Sequence, residues 1–240
     1  IMLSETSDVL FLEKKIKYYT PNSKTKKRVK RIHEKEPLTN EWISEIQNGT
    51  SLLDIGANVG MYTMMAAVTK DIKVYSIEPE NNNYFILCHN ILLNKVSDRV
   101  LAFNAGALDY NGYSVLNINN NDGFGGALHS VEEELDDKLN TLKPIHKQGL
   151  HVMRIDSFVE KMNIQPEYIK IDVDGLEHRV VEGALKTIKN AKTIIIELDL
   201  NLQKHKDTID KIKDLGFSLK NDKLRKGHFG EHWFTNNVTT

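Results

Sequence analysis

Cysteine is almost absent: Cys88 is alone among 240 residues. A single thiol excludes an internal disulfide and any zinc site built on cysteine, and it suits a reducing, cytoplasmic setting. Long apolar runs are missing as well. No stretch approaches the roughly 18 residues of a membrane-spanning helix. The start, Ile1-Met2-Leu3-Ser4-Glu5, has no basic segment leading into an apolar core, so no secretory leader is read there. Charge of one sign is not in excess. The net charge of −1 supplies no global field that would collect nucleic acid or an anionic membrane. What is present, 40% hydrophobic and 27% charged residues, suits one globular domain with a full core and an appended arm.

The stretch that organises the chain is Leu52-Leu53-Asp54-Ile55-Gly56-Ala57-Asn58-Val59-Gly60-Met61-Tyr62-Thr63. An apolar strand pattern stops at a glycine turn, and a helical pattern follows through Met64 and Met65. Strand, tight turn and helix in that order bring backbone and a helix N-terminus to a ligand. The spacing Asp-x-Gly-x-x-x-Gly is not the Gly-x-Gly-x-x-Gly of dinucleotide sites. A carboxylate before the turn suits a ligand with an amino group and a sulfonium better than a pyrophosphate. Lys73 to Ile77 reads as the next strand, closed by Glu78-Pro79-Glu80. Glu78 stands 24 positions after Asp54. An acid at that place accepts hydrogen bonds from the two hydroxyls of a ribose. Turn and acid together point to a nucleoside-bearing cofactor.

Residues 1–48 are read as a basic helical arm, with Val9, Leu10, Leu12 and Ile16 on one short amphipathic helix. Lys24, Lys26, Lys27, Arg28, Lys30, Arg31 and Lys35 follow, with Glu34 the only acid among them. The run meets an anionic substrate or surface, or is simply a solvated face. Aromatic residues that would stack bases do not interleave it. Residues 49–240 alternate strand and helix, with Cys88 on a buried helical stripe. Between about 108 and 156 an insertion breaks the alternation. It carries the Asn111-Gly112 hairpin signal, a polar loop at 119–126, and the acids Glu132, Glu133, Glu134, Asp136 and Asp137. A short helix after it is expected to be capped by Asp156 or Ser157.

A second block, Tyr168-Ile169-Lys170-Ile171-Asp172-Val173-Asp174-Gly175-Leu176-Glu177-His178, is again strand, acid, glycine turn and helix. Thr193 to Leu198 is an apolar strand holding Glu197 near its end, and a terminal hairpin closes the chain. Asp54, Glu78, Asp172 and Glu197 thus gather at the carboxyl ends of the strands, where open α/β sheets bind ligands. Asn104-Ala105 turns away from the third strand, where an adenine ring fits. His228 and His232 have no matching carboxylate nearby in sequence and are read as surface or packing residues.

These motifs resemble the FkbM family of S-adenosylmethionine-dependent methyltransferases. The likeness rests on Asp54 to Gly60, Ile77-Glu78-Pro79, Lys170 to Glu177, Val181-Glu182-Gly183-Ala184 and Ile196-Glu197. Asp174 stands where the family usually has Glu. The resemblance implies an α/β class I methyltransferase fold: a doubly wound, mostly parallel seven-stranded sheet with an antiparallel C-terminal hairpin and an inserted β-hairpin. It also implies transfer of a methyl group, most often to a hydroxyl of a sugar, glycan precursor or natural product.

On that reading Asp54, Gly56, Ala57, Asn58, Gly60 and Tyr62 belong to the amino-acid end of S-adenosylmethionine. Glu78 and Pro79 belong to its ribose, and Asn104 and Ala105 flank adenine. Asp172, Glu197 and His178 are the catalytic candidates. A Mg2+ ion at the acids is the less favoured arrangement, because no Asp-Asn or Asp-Asp pair typical of metal-dependent O-methyltransferases is visible, and no residue is assigned to a metal. A nicotinamide-dependent oxidoreductase lacks its second turn glycine and its Tyr-x-x-x-Lys. A non-catalytic cofactor-binding scaffold, or a nucleic-acid methyltransferase docking through the basic arm, are the alternatives. The Asn/Asp-Pro-Pro-aromatic motif of base-amine methylation is missing. The oligomeric state is not encoded in any motif.

Overall fold

Neighbouring residues of the central strands are buried in pairs: Leu52 with Leu53, Val74 with Tyr75, Ile194 with Ile195. Side chains alternate along a strand, so such runs require cover on both faces of a sheet. The computed structural model describes residues 5–118, 123–127, 129–131 and 144–238. The chain opens with β1 (Thr6–Phe11) and β2 (Lys14–Tyr19), then α1 (Ser23–Lys30), α2 (Ile32–Lys35) and α3 (Pro37–Glu45). There follow β3 (Ser51–Ile55), α4 (Met61–Thr69), β4 (Lys73–Ile77), α5 (Asn81–Leu93) and β5 (Val100–Phe103). The insertion holds β6 (Gly106–Ala107), β7 (Gly112–Ile118), β8 (Ser130–Val131) and β9 (His146–Met153). The alternation resumes with α6 (Ile155–Met162), β10 (Tyr168–Ile171), α7 (Glu177–Glu182), α8 (Leu185–Lys189), β11 (Thr193–Asp199) and α9 (Gln203–Asp214). The hairpin β12 (Phe217–Arg225) and β13 (Phe229–Asn236) ends it.

The main sheet has seven strands among the described residues, in the order β12-β13-β11-β10-β3-β4-β5. The five from β11 to β5 run parallel, and β13 lies antiparallel on β11. From β3 the chain winds outward through β4 and β5, then returns to lay β10 on the other side of β3. That reversal opens a crevice beyond the carboxyl ends of β3 and β10. One core packs Leu52, Val74, Ile195 and Trp233 under Met64, Met65 and Leu87. The other packs Leu53, Ile77, Ile169 and Ile196 under Val180, Ile188 and Ile212. Each such side chain contributes roughly 1.5–3 kcal/mol by leaving water. The insertion forms its own sheet, β6-β9-β7-β8, with β7 and β9 antiparallel.

Residues 9–16 are not a helix. Val9 pairs directly with Ile16 across the β1–β2 hairpin, and both are buried. The apolar spacing came from cross-strand partners. Leu12 and Glu13 turn the hairpin with φ of 45° and 61°. Leu-Glu carries none of the Asn-Gly chemistry that usually announces such a turn. The hairpin shares a core with α4 and α5, and Tyr18 Oη donates to the Met61 carbonyl at 2.8 Å. The helix α6 also differs from its expected cap. It starts after Arg154 with no side-chain cap, while Asp156 accepts from Thr187 N and Thr187 Oγ1 at 2.8 Å each, at the start of α8. The polar loop at 119–122 and the acid cluster Glu132 to Asp137 lie outside the described residues.

Candidate active site

A cavity of about 120 Å³ opens at the reversal, and Gly56, Asn58, Glu78, Pro79, Ala105, Asp172 and Glu197 all line it. Residues as far apart as Gly56 and Glu197, 141 positions, meet there because five parallel strands end on one edge.

One wall is built on main chain. Gly56 has φ +82°, and a Cβ there would fall 1.8 Å from the Asp172 carbonyl oxygen, so the turn after β3 sits directly against the end of β10. Gly56 N and Ala57 N donate to the Ile77 carbonyl at 2.9 and 3.0 Å, and Gly60 N donates to Ala57 O. The turn's amides are therefore satisfied within the protein. Asn58 N donates to Glu78 Oε2 at 2.7 Å, and Glu80 N donates to Glu78 Oε1 at 2.9 Å. Burial raises Glu78 to about 8, against the pull of those two N–H groups. Glu80, also on the cavity, caps α5 by accepting from Asn82 N and Asn83 N. Ile55, Ile77, Leu108 and Leu116 add an apolar lining beside Ala105.

Several named residues stand off the cavity. Asp54 is 1% exposed, and its Oδ2 accepts from Thr63 Oγ1 at 2.5 Å with Lys170 Nζ 3.9 Å away. Burial raises its pKa despite Lys170 and Thr63. Tyr62 is buried with the Lys170 ammonium 5.2 Å from its ring centre. Ala57 and Gly60 shape the turn behind the lining. Asn104 Nδ2 donates to the carbonyls of Glu78 and Pro79 at 2.9 and 3.1 Å, fixing the strand end that carries Glu78. His178 lies beside His205, their ring centres 6.2 Å apart. Burial and then Lys204 and His205 depress it to about 4.

The opposite wall is built on side chains. Lys170 and Asp172 are two apart on β10 and its exit, so they share a side of the strand, and Lys170 Nζ donates to Asp172 Oδ2 at 3.2 Å. Burial pushes Asp172 upward, but Lys170 and Lys35 outweigh it and hold the carboxyl below its ordinary value. Glu197 moves the other way. Burial, Asp172 and Glu36 raise it well above its ordinary value although Arg225 is ion-paired to it. Lys35 reaches the cavity from α2, its Nζ 2.7 Å from Glu36 Oε1, and faces Asp172 and Glu197. Arg28 reaches it from α1. Asp174, where the family usually has Glu, has φ 56°, a left-handed conformation that Asp tolerates through its short polar side chain.

A short segment borders the cavity, with Gly126 and Ala127 on its lining. Asn58 Nδ2 and Asn83 Nδ2 both donate to Gly126 O, at 2.7 and 3.0 Å, and Gly125 N donates to Asn83 Oδ1 at 2.8 Å. From the other side Arg28 Nε donates to Gly125 O and Asn22 Nδ2 to Phe124 O, both at 2.9 Å. Sequence reasoning saw Arg28 and Lys35 only as members of a basic run, and missed Glu36, Asn83, Lys170, Arg225 and His129, the last also on the cavity. Lys170 carried a signal of its own, its place two residues before Asp172. Among the described residues no three His, Cys, Asp or Glu side chains come together as a metal cluster, and no helix is long and apolar enough to cross a membrane.

The methyltransferase FkbM domain matches residues 54–219. The structure is similar to methyltransferase FkbM from Methylobacillus flagellatus KT, with a TM-score of 0.54 and 16% identity over 80% of this chain and 44% of that one. This chain thus spans less than half the length of that protein. It is also similar to the putative methyltransferase yhhF from Escherichia coli, with a TM-score of 0.51 and 12% identity over 96% and 98% of the two chains. At these identities the likeness is one of fold. No curated protein sequence matches the chain.

Proposed function

The chain belongs to the FkbM methyltransferase family, and from that premise we propose that it binds S-adenosylmethionine in the cavity between β3 and β10 and methylates a hydroxyl of a sugar-like acceptor. The observation that carries the reading is the pair Asp172 and Glu197, one carboxyl held low and one pushed up, on one cavity wall. Environments that drive two carboxyls apart mark a division of roles.

The donor wall fits the cofactor. Gly56 lets the turn after β3 press against the end of β10 at the cavity wall, Ile55, Ile77, Ala105 and Leu108 offer an apolar slot for a base, and Glu78 stands at the end of β4 for ribose hydroxyls. Pro79 extends that edge, and Asn104 holds it. Asp54, one layer deeper, anchors Thr63 in the first turn of α4. When bound, S-adenosylmethionine supplies an electrophilic methyl group whose bond to sulfur breaks as the bond to the acceptor oxygen forms.

An alcohol is a weak nucleophile and needs its proton taken. Glu197, the stronger base, accepts the hydrogen bond of the reacting hydroxyl and takes its proton as the oxygen–methyl bond forms. Asp172, ionised beside Lys170, accepts from a neighbouring hydroxyl of the acceptor and orients it. Lys170 acts through Asp172, and Arg225 aligns Glu197. Correct placement of oxygen against methyl is the largest contribution such a site makes. His178, away from the cavity, serves the packing of α7 against α9.

Calorimetry with S-adenosylmethionine and with NAD tests the cofactor. Incubation with methyl-labelled donor and a panel of free sugars, nucleotide sugars and lipid-linked sugars, with and without magnesium and chelator, tests the reaction. Uptake of the donor with label on a sugar oxygen is the expected result, and no uptake at millimolar donor ends the reading.

A further inference from the structure

Resting on the methyl-transfer reading, we infer that the acceptor carries a phosphate or diphosphate, gripped at the cavity mouth by Arg28 and Lys35 of the basic arm. The deep acids already have their own cations. Asp172 lies 3.2 Å from Lys170, and Glu197 is paired with Arg225. Arg28 and Lys35 add a longer-range pull on Asp172, but neither is hydrogen-bonded to it. Arg28 Nε holds the Gly125 carbonyl at 2.9 Å, and among the described residues its Nη1 and Nη2 have no protein partner. A guanidinium anchored at Nε, lining a cavity with its outer edge unpaired, is set to take two oxygens of one phosphate. Lys35, whose Nζ is ion-paired with Glu36 at 2.7 Å, stands on the same lining as a second cation with donors to spare.

The charge continues outward. Lys27, Lys30 and Arg31 are exposed on α1 and its end, and Glu34 is the only acid from position 24 to 35. With a whole-chain net charge of −1, this is a local concentration of positive charge and not a general property of the surface. Such a gradient draws an anion towards the cavity at low salt and loses its pull as salt rises. The acids Asp172 and Glu197 form the inner part of the site, so a hydroxyl directed inward and a phosphate left at the mouth satisfy both halves of the lining. A neutral sugar would leave the Arg28 edge without a partner.

The test uses the full chain loaded with S-adenosylhomocysteine, titrated calorimetrically with inorganic pyrophosphate, UDP-glucose, a polyprenyl-diphosphate glucose in detergent micelles, and glucose. The expected result is binding of pyrophosphate and of at least one diphosphate sugar at least tenfold tighter than glucose. Of the two diphosphate sugars, the tighter names the source of the phosphate. Arg28→Gln and Lys35→Gln should each weaken that binding at least tenfold. The exposed pair Lys27→Gln with Lys30→Gln should weaken it severalfold and flatten its salt dependence with the fold untouched. Glucose binding as tightly as the diphosphates, or diphosphate binding that ignores Arg28, Lys35 and the exposed pair, overturns the inference. Uptake of S-adenosylhomocysteine is read separately. If it binds and pyrophosphate does not, the inference falls and the methyl-transfer reading stands; if it does not bind, the reading itself falls.

Discussion

The two walls of the cavity are made differently. On the donor side, Glu78 is held by the main-chain N–H groups of Asn58 and Glu80, within 20 residues of itself. On the acceptor side, Asp172 and Glu197 are held by the side chains of Lys35, Lys170 and Arg225, which come from the arm, the central strand and the terminal hairpin. A wall made of backbone depends on a turn shape and admits few substitutions. A wall made of distant side chains can be altered one residue at a time while the sheet stays as it is. The first is suited to a ligand of fixed shape, the second to one whose recognition can be changed residue by residue.

The largest expected effect breaks the first wall. Gly56→Ala forces a Cβ into the Asp172 carbonyl and keeps a left-handed φ, so it should cost about 3 kcal/mol and abolish donor uptake. Denaturant unfolding and calorimetry measure both. A variant of unchanged stability would mean the turn is not pressed against β10.

Next come the acceptor-side carboxyls. Asp172→Ala and Glu197→Gln should each lower kcat by about 100-fold or more. Donor affinity should stay within roughly threefold, because the donor wall does not use them. Equal losses of donor binding would merge the two walls into one.

Lys170→Met sharpens the comparison through pH. Without the ammonium, burial alone acts on Asp172, and the acid limb of kcat/KM should move up by about one pH unit or more. Lys170→Arg should restore most of it. A limb that does not move would show that Lys170 has only a packing role.

The smallest effect lies in stability against pH. Glu78 in the folded chain titrates near 8, above its unfolded value. Between about pH 4.5 and 8 the native state keeps a proton the unfolded chain has lost, so this group's contribution to stability falls as pH rises. Asp172, held low, has the opposite sign: its contribution is present above the unfolded carboxylate value and is lost as pH falls through the folded one. Glu78→Gln should therefore flatten the decline in unfolding free energy from about pH 5 to 8. An unchanged slope would assign the decline to other groups.

This contrast also explains what could be read from the sequence. Gly56, Asn58 and Glu78 belong to short contiguous motifs whose turn chemistry is local, and they do meet on one cavity. The order of strands and helices was legible for the same reason, each apolar run being bounded by its own turn residues. The places of Lys35, read only as one of a basic run, and of Arg225 beside Glu197 were not legible, because nothing near them in sequence refers to Glu197; only the packing of the arm and the hairpin brings them there. The β1–β2 hairpin was misread because its cross-strand pair Val9–Ile16 imitates a helical spacing and its turn is Leu-Glu. Asp156 looked like a cap for its own helix, yet it serves α8, a choice that tertiary packing makes. Asn104, placed beside adenine by its strand end, is drawn back by two carbonyls.

The segment Phe124–Gly126 touches Asn22 and Arg28 on one flank and Asn58 and Asn83 on the other. Any displacement of these three residues by a guest on either flank is therefore registered on both. Thermodynamic reciprocity then requires that whatever factor the first guest imposes on the affinity of the second is imposed equally in return. The two sites would then speak to each other through the backbone of a tripeptide, in either order alike, and not through the sheet beneath them.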